Sequence, residues 1–194
     1  MEKKNNIGLF FGSFNPIHIG HLAIANYLYS FTDLDEIWFV VSPQNPLKEE
    51  QTLLNDGERL KMVALAIENY DGFQVCDIEF SFRKPSYTIH TLDYLQTAYP
   101  EKNFYLIIGE DSLADIHLWK DFEKILERYH IYVYNRSGNS SIPYAQYPNI
   151  QIIKAPLLDI SSTFIRQALK EHKDVRFFLP EKAYDYIKAN KFYS

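Results

Sequence analysis

The residue types best suited to chemistry are two histidines, His18 and His21, which follow an apolar run and a turn. The apolar run at 7–11 predicts a buried strand, 12–16 holds turn residues, and the apolar spacing after His21 predicts a helix. A helix that begins just beyond a parallel strand directs its free N–H groups and positive dipole end at the turn. The imidazoles add donors that can carry positive charge. This order of elements predicts a phosphate-binding site.

Two other interpretations of the histidine pair stay open. A His-x-x-His pair can bind zinc, but zinc needs a third or fourth ligand, and the only cysteine, Cys76, lies in an unrelated apolar run. The histidines could also be ordinary residues at the beginning of a helix. The order of strand, glycine turn and helix favours the phosphate site, with Gly12, Ser13 and Phe14 in the turn. Gly20 would let a ligand approach the backbone.

A second polar group follows a later apolar run. Gly109 and Asp111 come directly after residues 104–108, which predict a strand. A glycine at this place permits a nucleoside to approach, and a carboxylate can accept hydrogen bonds from ribose hydroxyls. The alternative is that Asp111 caps a helix over residues 112–116, and both roles can coexist.

A third group, near the C-terminus, contains Ser161, Ser162, Thr163 and Arg166. The serines are good N-cap candidates, and Arg166 lies one turn into the predicted helix. Hydroxyls and a guanidinium at a helix N-terminus suit a triphosphate. By itself the stretch predicts an ordinary amphipathic helix. It becomes a phosphate site as a partner of the histidine pair, because a triphosphate carries more charge than one helix end can neutralise.

The last polar group precedes the third predicted helix. We interpret Asp77, Glu79 and Arg83 as a solvated ion-pair network that holds a loop. Ser86 and Thr88 are predicted to cap the helix that follows, which leaves its amides for a second anion.

These groups lie on a predicted alternation of strands and helices. Strands are predicted at 7–11, 36–41, 74–78, 104–108, 131–134 and 150–154, and helices at 21–30, 56–69, 88–98, 122–128, 162–171 and 181–190. Nearly continuous apolar strands separated by helices predict an α/β fold: a Rossmann-like, doubly wound, mostly parallel sheet with helices on both faces. Ligands bind beyond the carboxyl ends of such strands, where the polar groups lie.

Composition narrows the class of protein. The 194 residues, 46% of them hydrophobic, suit a single domain that buries roughly 70% of its unfolded surface. A formal charge of −5 argues against a broad surface for polymeric nucleic acid. No apolar run approaches the ~18 residues of a membrane span, and the lone cysteine and lack of a leader predict a cytoplasmic protein. The sequence leaves open whether the protein forms a homo-oligomer.

Together, these motifs resemble the bacterial nicotinate-nucleotide adenylyltransferases over nearly the whole chain. The His-x-Gly-His turn and the Ile-Ser-Ser-Thr-x-Ile-Arg segment at 160–166 are shared with the wider nucleotidyltransferase superfamily. The Ser-Tyr-Thr-Ile-x-Thr-Leu segment at 86–92 and the group of Gly109, Asp111 and Trp119 are more specific. The resemblance implies one nucleotidyltransferase domain, residues 1–194. It would transfer AMP from ATP to nicotinate mononucleotide, giving deamido-NAD and pyrophosphate, with Mg²⁺ bridging the phosphates.

The resemblance also implies residue roles. Catalysis would fall to His18, His21 and Arg166. ATP would contact Gly12, Ser13, Phe14, Gly20, Lys48, Gly109, Asp111, Ser161, Ser162 and Thr163. The acceptor would contact Ser86, Tyr87, Thr88 and Trp119. No dedicated protein metal site is expected.

Three positions depart from the family pattern. Phe11 replaces a common glycine, Asn15 a common aspartate, and Leu47 a histidine, whereas Lys48 is retained. Two alternative functions stay open: a sister adenylyltransferase acting on nicotinamide mononucleotide or pantetheine phosphate, and a nucleotide sensor without turnover. The intact histidine pair and Arg166 argue against the sensor.

Overall fold

A six-stranded parallel sheet forms the centre of the computed structural model, which describes residues 5–43, 53–134, 144, 146–156 and 158–194. Its strands are β1 (Asn5–Gly12), β2 (Glu36–Val41), β3 (Phe73–Cys76), β4 (Lys102–Gly109), β5 (His130–Tyr134) and β6 (Ile150–Ile153). They lie in the order β3-β2-β1-β4-β5-β6, and each pairing is parallel. The predicted doubly wound α/β fold is therefore confirmed.

The helices cover the sheet in the predicted order. They are α1 (Ile19–Phe31), α2 (Asp56–Ile67), α3 (Thr88–Ala98), α4 (Glu110–Ala114), α5 (Phe122–Arg128), α6 (Ser162–Lys170) and α7 (Glu181–Asn190). The third strand ends at Cys76, earlier than predicted, because Ile78 begins a short 3₁₀ turn. In the described part of the chain, no helix is long and apolar enough to cross a bilayer.

Two hydrophobic layers bury the two faces of the sheet. Neighbouring residues in β1, Leu9 and Phe10, belong to different layers because side chains alternate along a strand. Phe10 shares its layer with residues of α1, α2, α6 and α7, such as Leu28 and Met62. Leu9 shares the other with residues of α3, α4 and α5, such as Leu92. Burial on both faces explains why the strands are almost continuously apolar.

The strand order reverses between β1 and β4, and this places a crevice at their carboxyl ends. The chain runs outward from β1 to β2 and β3 on one side, then from β4 to β5 and β6 on the other. Phe10 pairs with Ile107 across the central strands, so the turns that follow β1 and β4 begin at neighbouring points. Such a switch point is the usual ligand-binding place in doubly wound sheets.

Candidate active site

A cavity of about 540 Å³ lies at this switch point, a volume typical of small-molecule sites. It brings together the predicted polar groups from distant parts of the chain. Of the predicted site residues, those that line it are Gly12, Ser13, Phe14, His18, His21, Ser86, Tyr87, Thr88, Gly109, Asp111, Trp119, Ser161, Ser162, Thr163 and Arg166. Lys48 and Leu47 lie outside the described residues.

The histidine pair forms the beginning of α1 and part of the cavity wall. His18 is 4% exposed and occupies the N-cap position of α1. The interpretation that the histidines lie at the beginning of a helix is therefore correct, and it is compatible with a place in the cavity wall. The backbone N–H of His18 donates to Nδ1 of His21 at 3.2 Å, and the two imidazole rings stack with centroids 3.7 Å apart. Because Nδ1 accepts, the neutral His21 ring carries its proton on Nε2. The structure shows no cluster of three metal-ligating side chains among the described residues.

Two glycines make room for the side chains that build this wall. A Cβ on Gly20 would lie 3.0 Å from Nδ1 of His18, and Gly20 itself does not line the cavity. The lack of a side chain at Gly20 therefore accommodates the imidazole, and its contact with ATP stays a prediction. A Cβ on Gly12 would lie 2.8 Å from the ring of Phe14, which packs edge-on against His21 with centroids 5.2 Å apart.

Helix α6 is hydrogen-bonded directly to the turn after β1. The Ser162 hydroxyl donates to the carbonyl of Pro16 at 2.9 Å. Arg166 donates through Nη1 to the carbonyl of Asn15 at 2.9 Å and through Nη2 to Oγ1 of Thr163 at 3.2 Å. These bonds hold the guanidinium and the helix N-terminus beside the histidine turn, which is the arrangement that the third polar group predicted.

The side chain of Asn15 is also fixed. Its Oδ1 accepts hydrogen bonds from the Tyr193 hydroxyl at 2.7 Å and from the Leu54 amide at 3.3 Å. Burial raises the pKa of the Tyr193 hydroxyl well above its ordinary value, so this group stays a donor across the physiological range. An amide oxygen thus fills the accepting role at the position where a family aspartate is common.

The caps of α6 and α4 differ in how well they were predicted. The Ser161 hydroxyl accepts from the amide of Phe164 at 3.1 Å, which confirms this N-cap. The alternative role of Asp111 as a cap is wrong, because α4 begins at Glu110 and Gly109 occupies the N-cap position. Asp111 instead lies in the first turn and lines the cavity, and a side chain on Gly109 would collide with its carboxylate.

The segment before α3 differs most from the prediction. Glu79 is not part of a solvated network: it is 2% exposed and lines the cavity. Its oxygens accept from the hydroxyls of Ser86 at 2.9 Å and Thr91 at 2.7 Å, which satisfies the buried carboxylate. Neither Ser86 nor Thr88 caps α3, because Tyr87 is the N-cap residue and no side chain caps this helix.

Aromatic side chains form the wall of the cavity next to this segment. Tyr87 and Trp119 are partly buried and pack against the layer that contains α3 and α5. Nζ of Lys120 lies 4.7 Å from the centroid of the Tyr87 ring. Sequence reasoning missed Lys120, and the available signal was its place directly after Trp119.

Arg59 is a further residue that sequence reasoning missed. It is fully buried in α2, and each of its five N–H groups has an acceptor. Nε donates to Leu54 O at 3.0 Å, Nη1 to Ser13 O at 2.5 Å and Ser42 O at 2.8 Å, and Nη2 to Pro43 O at 3.2 Å and Asp56 Oδ1 at 2.6 Å. The guanidinium therefore joins the turns that follow β1 and β2 to the beginning of α2.

The fold and the assembled cavity define the class of protein. Residues 9–168 match the cytidylyltransferase-like family, and the chain belongs to that family. A probable nicotinate-nucleotide adenylyltransferase of Flavobacterium johnsoniae is 50% identical over 189 residues, covering 96% of this chain and 98% of the relative. One of Bacteroides thetaiotaomicron is 49% identical over 187 residues, covering 96% and 93%. Within the family, the chain belongs to the nicotinate-nucleotide adenylyltransferases.

Solved structures agree with the fold. That of Plasmodium falciparum nicotinic acid mononucleotide adenylyltransferase complexed with NaAD matches with a TM-score of 0.82 over 97% of both chains. A putative nicotinate-nucleotide adenylyltransferase from Vibrio parahaemolyticus matches with a TM-score of 0.73 over 97% of this chain and 95% of that one. At 24% and 21% identity these matches establish a shared fold.

Proposed function

We propose that this enzyme transfers AMP from ATP to nicotinate mononucleotide, forming deamido-NAD and pyrophosphate as a step of NAD biosynthesis. The observation that carries the proposal is the junction between the histidine turn and α6, made by Ser162 and Arg166. It places cationic and N–H donors for a triphosphate in the same cavity as the aromatic wall of Tyr87 and Trp119.

The proposed reaction is one in-line displacement. A phosphate oxygen of the mononucleotide attacks the α-phosphorus of ATP, and the bond from that phosphorus to the bridging oxygen of pyrophosphate breaks as the new bond forms. The attacking phosphate is already ionised at neutral pH, so the reaction needs no general base. The protein then contributes orientation and stabilisation of developing charge.

The phosphates would be divided between two groups of donors. His18 and His21 bind the oxygens around the α- and β-phosphates, where negative charge shifts as the bond breaks. Arg166 and the Ser161–Thr163 turn at the N-terminus of α6 hold the leaving pyrophosphate. The bonds from Arg166 to the Asn15 carbonyl and to Thr163 limit the movement of the guanidinium, which supports its proposed contact with the pyrophosphate.

We propose further contacts of ATP within the same cavity. The turn at 12–14 would enclose the phosphates, and Gly109 and Asp111 would contact the nucleoside, with Asp111 accepting from ribose hydroxyls. Lys48 stays a predicted contact. Enzymes of this family use a divalent metal with ATP, and we propose that Mg²⁺ enters with the triphosphate as part of the substrate.

The acceptor would occupy the aromatic part of the cavity. Tyr87 and Trp119 provide faces against which a pyridine ring can stack. Because no side chain caps α3, the amides at Thr88 and in the first turn are suited to bind an anion such as the nicotinate carboxylate.

A pyrophosphate-release assay with three acceptors tests the proposal. Nicotinate mononucleotide should be used far faster than pantetheine phosphate, and roughly 10²-fold better than nicotinamide mononucleotide in kcat/KM. Reversed preferences would assign the protein to a sister activity. ATP binding without pyrophosphate release for any acceptor would indicate a nucleotide sensor.

Three further parts of the proposal concern the whole chain. We propose that residues 1–194 form one nucleotidyltransferase domain, supported by the two layers that cover a continuous sheet. We propose a cytoplasmic location, supported by the single cysteine. Whether the enzyme forms a homo-oligomer is decided by light scattering on the purified protein.

A further inference from the structure

Each of the two parts of the cavity has one lysine or arginine side chain among its described lining residues. Among its described lining residues, the lysine and arginine side chains are Lys120 and Arg166. Arg166 is hydrogen-bonded to the turn after β1, in the part of the cavity that we assign to the phosphates of ATP. Lys120 lies over the ring of Tyr87, in the part that we assign to the acceptor.

The ammonium of Lys120 is available for a ligand. Within the described residues no carboxylate lies within 4.0 Å of its Nζ, and the contact that it makes is with the Tyr87 ring, 4.7 Å from the centroid. Glu79, a buried carboxylate that lines the same cavity, accepts from Ser86 and Thr91. The ammonium therefore lies at the aromatic wall of the cavity, held by the face of the Tyr87 ring.

The backbone around Lys120 is held on both sides. Before it, the amide of Trp119 donates to the carbonyl of Ile116 at 2.8 Å. After it, Asp121 adopts a left-handed conformation with φ of 52°, which is uncommon for a residue other than glycine. The Asp121 carbonyl accepts from the amides of Lys124 at 3.0 Å and Ile125 at 3.3 Å, at the beginning of α5. Lys120 therefore extends from a structured turn.

We propose that the Lys120 ammonium pairs with the carboxylate of the nicotinate ring and is a specificity-determining group for an acid over an amide. The inference rests on the proposed function and adds to it a side chain that recognises charge. The acid gains an ion pair that the neutral amide cannot form. Both acceptors carry the same 5′-phosphate, so comparing them separates a carboxylate contact from a phosphate contact.

The test compares Lys120→Met with Lys120→Arg and with the control Lys124→Met. Lys124 is exposed, lies four residues along the chain and does not line the cavity. Lys120→Met should lower kcat/KM for nicotinate mononucleotide by roughly 10-fold, mainly through KM, with at most a 2-fold change for nicotinamide mononucleotide. Lys120→Arg should retain most of the preference, and Lys124→Met should match the wild type.

Equal losses for the two acceptors in Lys120→Met would overturn the proposal, because they would indicate a contact with the shared phosphate. An unchanged value for the acid would overturn it as well. A binding titration, followed by quenching of tryptophan fluorescence, makes the result independent of turnover. The two proposals can fail separately. The role of Lys120 stands if nicotinate mononucleotide binds the wild type roughly 10-fold tighter than it binds Lys120→Met. The proposed function fails if AMP is transferred faster to pantetheine phosphate than to nicotinate mononucleotide. If nicotinate mononucleotide does not bind the wild type, both fail.

Discussion

Replacing Arg59 by lysine measures how far the turns at the carboxyl edge of the sheet depend on one buried guanidinium. Lysine keeps the positive charge but has three N–H donors in place of five. At least two of the five acceptors around Arg59 must therefore lose their donor. Four of these acceptors are backbone carbonyls, one of them that of Ser13 in the predicted phosphate turn.

The expected magnitude follows from this count. A buried acceptor that loses its partner costs about 1–3 kcal/mol, so two lost bonds cost roughly 2–6 kcal/mol of unfolding free energy. The side chain of Asp56 is 28% exposed, and water can replace its lost donor. We therefore expect about 2–4 kcal/mol, a large fraction of the roughly 5–15 kcal/mol that stabilises a domain.

Urea unfolding followed by tryptophan fluorescence measures this change, with kcat/KM measured in parallel on the folded enzyme. Lys61→Met is the matched control, because Lys61 lies in the same helix and is exposed. It should stay within about 0.5 kcal/mol of the wild type. The activity of Arg59→Lys should fall roughly 10-fold or more, since small displacements of a catalytic turn are costly. A stability of Arg59→Lys within about 0.5 kcal/mol of the wild type would show that the bonds of the guanidinium do not stabilise these turns.

Three other changes test separate features of the molecule. His18→Ala and His21→Ala should each lower kcat by about 10²–10³-fold in a protein that still unfolds cooperatively in urea; near wild-type turnover would show a structural role. Ser162→Ala removes the 2.9 Å bond to the Pro16 carbonyl and should lower the unfolding free energy by about 1 kcal/mol, whereas an unchanged value in urea unfolding would contradict a contribution from that bond. Burial raises the pKa of the Cys76 thiol to about 11, so iodoacetamide at pH 8 should modify the folded protein much more slowly than the unfolded chain. Equal rates would show that the thiol is not protected.

Local patterns were sufficient to predict most of the fold. Helices α3, α5 and α7 begin and end at the predicted residues, and β2 matches as well. Apolar periodicity and turn residues determine these bounds, and each is visible in a short window of sequence. Helix α1 begins at Ile19, two residues before the predicted start at His21, because His18 is its N-cap residue.

Burial of charge was not predictable in the same way. Glu79 and Arg59 have the side chains most typical of exposed positions, and their partners come from segments that only the fold brings together. Spacing contained one signal for Arg59: it precedes the buried Met62 and Val63 by three and four residues, which places it on the inner face of α2. No comparable signal marks Glu79. Its two hydroxyl donors, Ser86 and Thr91, lie beyond a turn, and only the folded chain brings them to the carboxylate.

In the proposed reaction the α-phosphate of ATP is transferred to the mononucleotide while the β- and γ-phosphates leave together. The most direct measurement uses ATP labelled at the α-phosphorus with nicotinate mononucleotide, followed by separation of the products. The label should appear in the dinucleotide, in a one-to-one ratio with unlabelled pyrophosphate. Label that appears in free AMP or in pyrophosphate, or dinucleotide formed without pyrophosphate, would contradict the proposed reaction.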